Sequence, residues 1–144
     1  MIYRNVGALI GNQKTITLEP KASVREAAEQ MARHRVGAIP VVELGKLKGI
    51  FTERDMVSRV VAKGLRPNEV RLEEVMTKDP VTVTSDTALV PSLTIMFEHK
   101  FRHLPVLESE RVVGVLSCRD IPTSYWNMFE RWESAQNELK VASA

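Results

Sequence analysis

Two short stretches of this chain carry side chains suited to holding a small anion: Thr52-Glu53-Arg54-Asp55 and Ser117-Cys118-Arg119-Asp120. In each, a hydroxyl residue stands three positions before an aspartate, with an arginine between them. A Thr or Ser that opens a helix sets its hydroxyl beside free backbone N–H groups, a place that favours a phosphate. The aspartate lies in the same turn, where its carboxylate can accept two hydrogen bonds from a ribose diol. Arg54 and Arg119 can add charge-assisted donors. The same spacing also describes a helix-capping box, in which the side chains satisfy each other's backbone and no ligand is needed. Both readings stand at this point, because capping and binding are compatible.

The two stretches are related by a shift of 65 residues that holds without a gap. Thr17 falls on Thr82, Met31 on Met96 and His34 on His99, while Pro40-Val41 falls on Pro105-Val106 and Gly49 on Gly114. Apolar positions correspond between these identities, as Ile39 does with Leu104. Such a register means an internal duplication.

Each copy reads as βαββα. The β-branched runs 15–18 and 81–84 favour strands. Ser23-Val24-Arg25-Glu26 has the form of a capping box, and Val24, Ala27, Ala28 and Met31 then recur at helical spacing. Leu89, Leu93, Met96 and Phe97 repeat that face, with Pro91 in or just past the first turn. Runs 38–42 and 103–107, four-residue polar connections, and runs ending at Phe51 and Leu116 form hairpins whose prolines suggest edge strands. A second helix opens at Thr52 and at Ser117, with Met56, Val57, Val60 and Val61 as its apolar face in the first copy. One copy, at roughly 55–60 residues, buries too little to be comfortably stable alone, so the copies should stack. The expected organisation is repeat 1 over 8–64, a connection over 65–76 containing a short helix at 72–76, repeat 2 over 77–125, and an amphipathic helix and tail over 126–144.

A strand ending in Pro-Val, a turn, then Gly-apolar-apolar-Thr/Ser-x-x-Asp resembles the cystathionine-β-synthase (CBS) domain. It stands here as 49–55 and again as 114–120, preceded by Glu73-Glu74-Val75-Met76-Thr77. Over roughly residues 8–125 the chain resembles the tandem arrangement called a Bateman module, of the stand-alone kind that acts in trans. The resemblance implies an α/β (α+β) fold, two βαββα units packed by pseudo-twofold symmetry with two clefts between their sheets. It also implies adenine ligands, AMP, ATP, NAD(H) or S-adenosylmethionine. Residue by residue, it makes Asp55 and Asp120 the ribose candidates and Thr52 and Ser117 the phosphate candidates. Arg102 and His103, where the first copy has only Gly37 and Ala38, join Arg54 and Arg119 as phosphate candidates. The adenine would lie against Lys14, Thr15 and Ile16 or Asp79, Pro80 and Val81, with Ala38, Ile39 and Thr77 nearby, although Ile39 and Leu104 suit plain core equally well. The second-copy motif is the better equipped for phosphate, which points to one strong site. Pro122, two residues after Asp120, puts a kink into the helix that should follow.

Both tryptophans lie outside the duplication. Tyr125, Phe129 and Trp132 fall on one helical face that suits either packing on the chain's own core or, the favoured reading, a homodimer interface. His34 and His99 lie at helix C-terminal ends, a favourable place for a partly charged ring. The lone Cys118 cannot form an internal disulfide and fits a reducing cytoplasm; an ordinary thiol is favoured over a redox centre. No residues stand at metal-ligand spacing. A net charge of +2 decides nothing about nucleic acid, but Lys and Arg alternate with Glu and Asp rather than gathering on one face, which argues against it, and no apolar run reaches membrane-span length. Without a nucleophile–base pair or Gly-rich phosphate loop, an enzyme is the weakest reading. The expectation is a regulatory adenine-nucleotide sensor acting on a partner protein, the alternative a ligand-free interaction or dimerisation module.

Overall fold

The computed structural model describes residues 3–143. Its elements are α1 (Val6–Ile10), α2 (Val24–His34), β1 (Ala38–Glu43), β2 (Lys46–Thr52), α3 (Glu53–Asp55, continuing as a π-helix over Met56–Val61), α4 (Leu72–Val75), β3 (Thr77–Lys78), β4 (Val83–Thr84), α5 (Leu89–His99), β5 (His103–Glu108), β6 (Arg111–Ser117), a 3₁₀ turn over Cys118–Asp120, and α6 (Thr123–Ala142). Two three-stranded sheets result, ordered β1-β2-β3 and β4-β5-β6, and β6 lies against β1 and β2 where the copies meet. The fold is the α/β pair of repeats expected from the duplication.

Each sheet is built on an antiparallel hairpin in the same register, Ile39 opposite Phe51 and Leu104 opposite Leu116. The connections are two-residue turns with both central φ angles positive, Leu44 and Gly45 in one and Ser109 and Glu110 in the other. They are tighter than the four-residue loops expected, because the right-handed twist of a hairpin favours such a turn. Leu44 is 98% exposed as a result.

The expected strand over 15–18 reduces to a single parallel bridge between Leu18 and Val41. Leu18 donates to the Pro40 carbonyl at 3.2 Å and accepts from Val42 at 2.8 Å. The next rung would need an N–H from Pro40, which proline lacks, so pairing stops. Pro105 has the same effect in copy two, where β4 begins only at Val83. Pro105 itself lies in the central strand of its sheet, contrary to the expected edge position.

Two cores form, one per copy. The helices leading into the copies are exchanged between them. Leu72 and Val75 of α4, which precedes copy two, are buried with Val24, Ala27 and Phe51 of copy one. Val6 of α1, which precedes copy one, is buried with Leu89, Leu93 and Leu104 of copy two. The backbone bonds match: Leu72 N–H donates to Ala22 and Val6 N–H to Thr87, both at 2.9 Å. Each repeat is thereby completed by a segment that the sequence attaches to the other.

Three expected apolar faces are trimmed. Val57 and Val61 are each 64% exposed, and only Val60 of that face is fully buried. The i→i+5 bonds from Ala62 to Val57 and from Leu65 to Val60 widen the helix and turn those valines away from the core. Phe97 lies outside the core, against the edge of the Phe129 ring. On α6, Tyr125 and Phe129 are buried in copy two's own core rather than held for a partner, while Trp132 remains 47% exposed.

Candidate functional site

The two copies of the hydroxyl-x-x-aspartate motif take different local structures. In copy one it is a complete capping box. Thr52 N–H and Oγ1–H both donate to Asp55 Oδ2, at 3.0 and 3.1 Å, and Asp55 N–H donates back to Thr52 Oγ1 at 3.2 Å. Asp55 is buried, and its other oxygen lies 3.5 Å from Arg59 Nε. Arg59 in turn donates through Nη1 to the carbonyls of Val75 and Met76, at 3.2 and 2.9 Å, capping the end of α4. In copy two the helix stops after one 3₁₀ turn, because Ile121 turns extended ahead of Pro122. Ser117 Oγ accepts only a long 3.4 Å bond from Arg119 N–H, and Asp120 is exposed, its carboxylate tied to nothing among the described residues.

Asp120 opens onto a cavity of about 390 Å³ between the copies, within the usual range of roughly 300–1,000 Å³ for small-molecule sites. One wall is the irregular segment Gln13-Lys14-Thr15-Ile16, a second is the end of α2 and start of β1 (Arg35, Val36, Gly37, Ala38), and the third is copy two's His103, Val115, Ser117, Arg119 and Asp120. Eight residues singled out in the sequence converge here: Lys14, Thr15, Ile16, Ala38, His103, Ser117, Arg119 and Asp120. Thr52, Arg54, Asp55, Ile39, Arg102, Thr77, Asp79, Pro80 and Val81 do not line it. Ile39 is fully buried in copy one's core, Arg54 and Arg102 are exposed, and Thr77 is a strand residue of β3 paired with Ile50.

Gly37 makes the close approach of the copies possible. A Cβ there would lie 3.0 Å from His103 Nε2 and 3.3 Å from the Glu53 carboxyl carbon. The Gly37 carbonyl accepts from Glu53 N–H at 3.0 Å, as its counterpart Arg102 accepts from Cys118 N–H at 2.9 Å. Burial holds the His103 imidazole below the usual histidine pKa; Arg119 and Arg102 push the same way, while Glu53 and Asp120 oppose them. Three cations, Lys14, Arg35 and Arg119, share the lining with the one carboxylate of Asp120. That charge pattern suits an anion carrying a diol. Thr15 Oγ1, also in the wall, is buried without a hydrogen-bond partner among the described residues.

Gln13, Arg35 and Val36 were not legible as site residues in the sequence. Arg35 sits in the left-handed region at the C-cap of α2, and Lys100 occupies the same place after α5. A basic residue at both repeat-related positions was the available signal.

The family model of the CBS domain matches the chain twice, over residues 6–62 and 72–123. The chain belongs to the CBS domain family. A CBS domain-containing protein of Arabidopsis thaliana, CBSCBSPB2, is 36% identical over 126 residues, covering 87% of this chain and 23% of that protein. The chain thus spans about a quarter of the length of that relative. Among solved structures, the CBS-domain containing protein ATU1752 from Agrobacterium tumefaciens is similar at 33% identity and a TM-score of 0.73, over 81% of this chain and 94% of that one. The CBS domain protein PAE2072 from Pyrobaculum aerophilum, complexed with AMP, is similar at 27% identity and a TM-score of 0.74, over 81% and 88% of the two chains. As a CBS pair, the chain places its cavity at the seam between its repeats, with one wall from copy two's Ser117-x-x-Asp120 and the others from copy one.

Proposed function

We propose that this CBS pair is a regulatory sensor that binds one adenine nucleotide in the cavity between its repeats. The observation that carries the reading is the joining of Ser117, Arg119 and Asp120 with Lys14, Thr15, Ile16 and Ala38 around a single cavity. Asp120 takes the ribose diol, Ser117 with Arg119 and His103 takes the phosphate, and the base lies against the 14–16 segment. AMP is the first ligand to try, because a similar CBS protein holds it; ATP, NADH and S-adenosylmethionine are the comparison set. Thr52 and Asp55, engaged with each other and with Arg59, serve structure in the other copy. A ligand contacting both repeats favours one relative pose, and that differential contact is what a regulated partner would read.

The protein is read as a regulator acting in trans in the cytoplasm, not as an enzyme, and as a homodimer through the exposed aromatic surface of α5 and α6. The second reading, a ligand-free interaction module, is favoured by that surface alone: Phe97, Met128 and Trp132 remain 56%, 58% and 47% exposed.

Thermal unfolding with each nucleotide separates the two readings. A ligand at a hundred times its dissociation constant adds about 2.7 kcal/mol of stability. A raised midpoint with AMP that disappears in Asp120→Ala supports the sensor. No rise with any of the four compounds sinks it and leaves the interaction module.

A further inference from the structure

Strand β6 is the outer strand of its sheet, and the way its outer edge is closed differs from that of its repeat counterpart β2. In copy one, β3 pairs with β2, setting Thr77 opposite Ile50 and Lys78 opposite Gly49. The 65-residue shift makes Val115 the counterpart of Ile50, and Asn12 and Gln13 the counterparts of Thr77 and Lys78. Yet 12–13 form no strand. Instead the Gln13 side chain reaches the Val115 peptide: Val115 N–H donates to Oε1 at 2.8 Å, and Nε2 donates to the Val115 carbonyl at 3.4 Å. Across the hairpin Val115 and Pro105 form a non-hydrogen-bonded pair, so both polar groups of Val115 point to the outer edge of the sheet. Gly114 admits the side chain, since a Cβ there would lie 3.1 Å from Gln13 Oε1.

A carboxamide offers one acceptor and one donor side by side. Adenine presents the same adjacent pair, a ring nitrogen beside its amino group, which is why Asn and Gln pair with it or stand in its place. Both Gln13 and Val115 line the cavity to which the nucleotide is assigned. A strand, as in copy one, could not be displaced without breaking the sheet; an exposed side chain can.

We propose that the Val115 peptide is the base-reading edge of the cavity and that Gln13 is its built-in occupant, displaced when adenine binds. The inference rests on the nucleotide reading and adds to it an internal competitor that sets the affinity. When Gln13 leaves β6, the segment it anchors is released, and the buried Thr15 Oγ1 two residues on can find a partner. Occupancy of the base edge is then felt along 13–16.

The test is isothermal titration of AMP into the whole protein, Gln13→Ala and Asn12→Ala, with amide exchange at Val115 read in each complex. Gln13 and Asn12 are both exposed, so neither change threatens the fold. Removing a competitor worth one net hydrogen bond should tighten AMP by about three- to tenfold in Gln13→Ala and leave Asn12→Ala unchanged. The Val115 amide should exchange faster in free Gln13→Ala and recover its protection when AMP is bound. Equal or weaker AMP binding by Gln13→Ala, or a Val115 amide that AMP fails to protect, overturns the role of Gln13 while leaving the nucleotide site standing. If AMP does not bind, the same titrations are run with ATP, NADH and S-adenosylmethionine, and absence of binding of all four by all three proteins overturns the nucleotide reading itself, and this inference with it.

Discussion

Asp55 and Arg59 face each other at 3.5 Å along one turn of helix, and the same guanidinium holds the carbonyls of Val75 and Met76. The aspartate of copy one is thus a joint between its own helix and α4. Its counterpart Asp120, 65 residues on, has no such duty. Asp55→Ala should therefore cost about 1–3 kcal/mol of stability, the range for leaving buried donors unpaired. Asp120→Ala should cost less than about 0.5 kcal/mol, as exposed sites do, and abolish AMP binding. Urea unfolding of both variants beside AMP titration checks the split; equal stability losses would contradict it.

Exchange of the lead-in helices makes stability cross the duplication. Leu72 precedes copy two but is fully buried in copy one's core. Leu72→Ala should cost about 2–5 kcal/mol. Hydrogen exchange should show the loss of protection first in α2 and β1 rather than in α5 and β5.

A Cβ at Gly37 would lie 3.0 Å from His103 Nε2, so a larger side chain must displace the ring. Gly37→Val should push His103 toward the cavity and weaken AMP at least tenfold, with a much smaller effect on unfolding. Titration calorimetry against the unfolding midpoint distinguishes this from general damage.

His103 supplies a pH dependence whose sign follows from its environment. Burial depresses its folded-state pKa below the ordinary 6.5. The neutral ring is then favoured by folding, so this contribution to stability is present above the unfolded value and is lost as pH falls through the folded one. Unfolding free energy should decline as pH is lowered from about 6.5, and His103→Gln should flatten that decline. A bound phosphate favours the protonated ring, so AMP should bind more tightly as pH is lowered from about 8 toward 6.5.

The exposed ring of Trp132 gives the dimer reading its check. Trp132→Glu should shift sedimentation toward the monomer while leaving AMP binding intact, because Trp132 does not line the cavity.

The duplication, the hairpins and both motif copies were legible in the chain, because apolar periodicity and a repeated Pro-Val and Gly-x-x-Thr/Ser-x-x-Asp pattern act locally. Even Pro122's interruption after Asp120 was readable, since a missing N–H acts on its own turn. What tertiary structure alone decided is which candidates meet. Lys14 to Ile16 join Ser117 and Asp120, not Thr52 and Asp55, because the cavity is walled by both copies. Asp55 was diverted to Arg59 and α4 by a contact whose partners lie 16 and 17 residues from the arginine. Val6 and Leu72 were sent to opposite cores, and Gln13 to Val115, by pairings that span the two repeats. Local spacing determines turns and faces; contacts between distant segments depend on how two sheets close on each other, and no spacing along the chain records that distance.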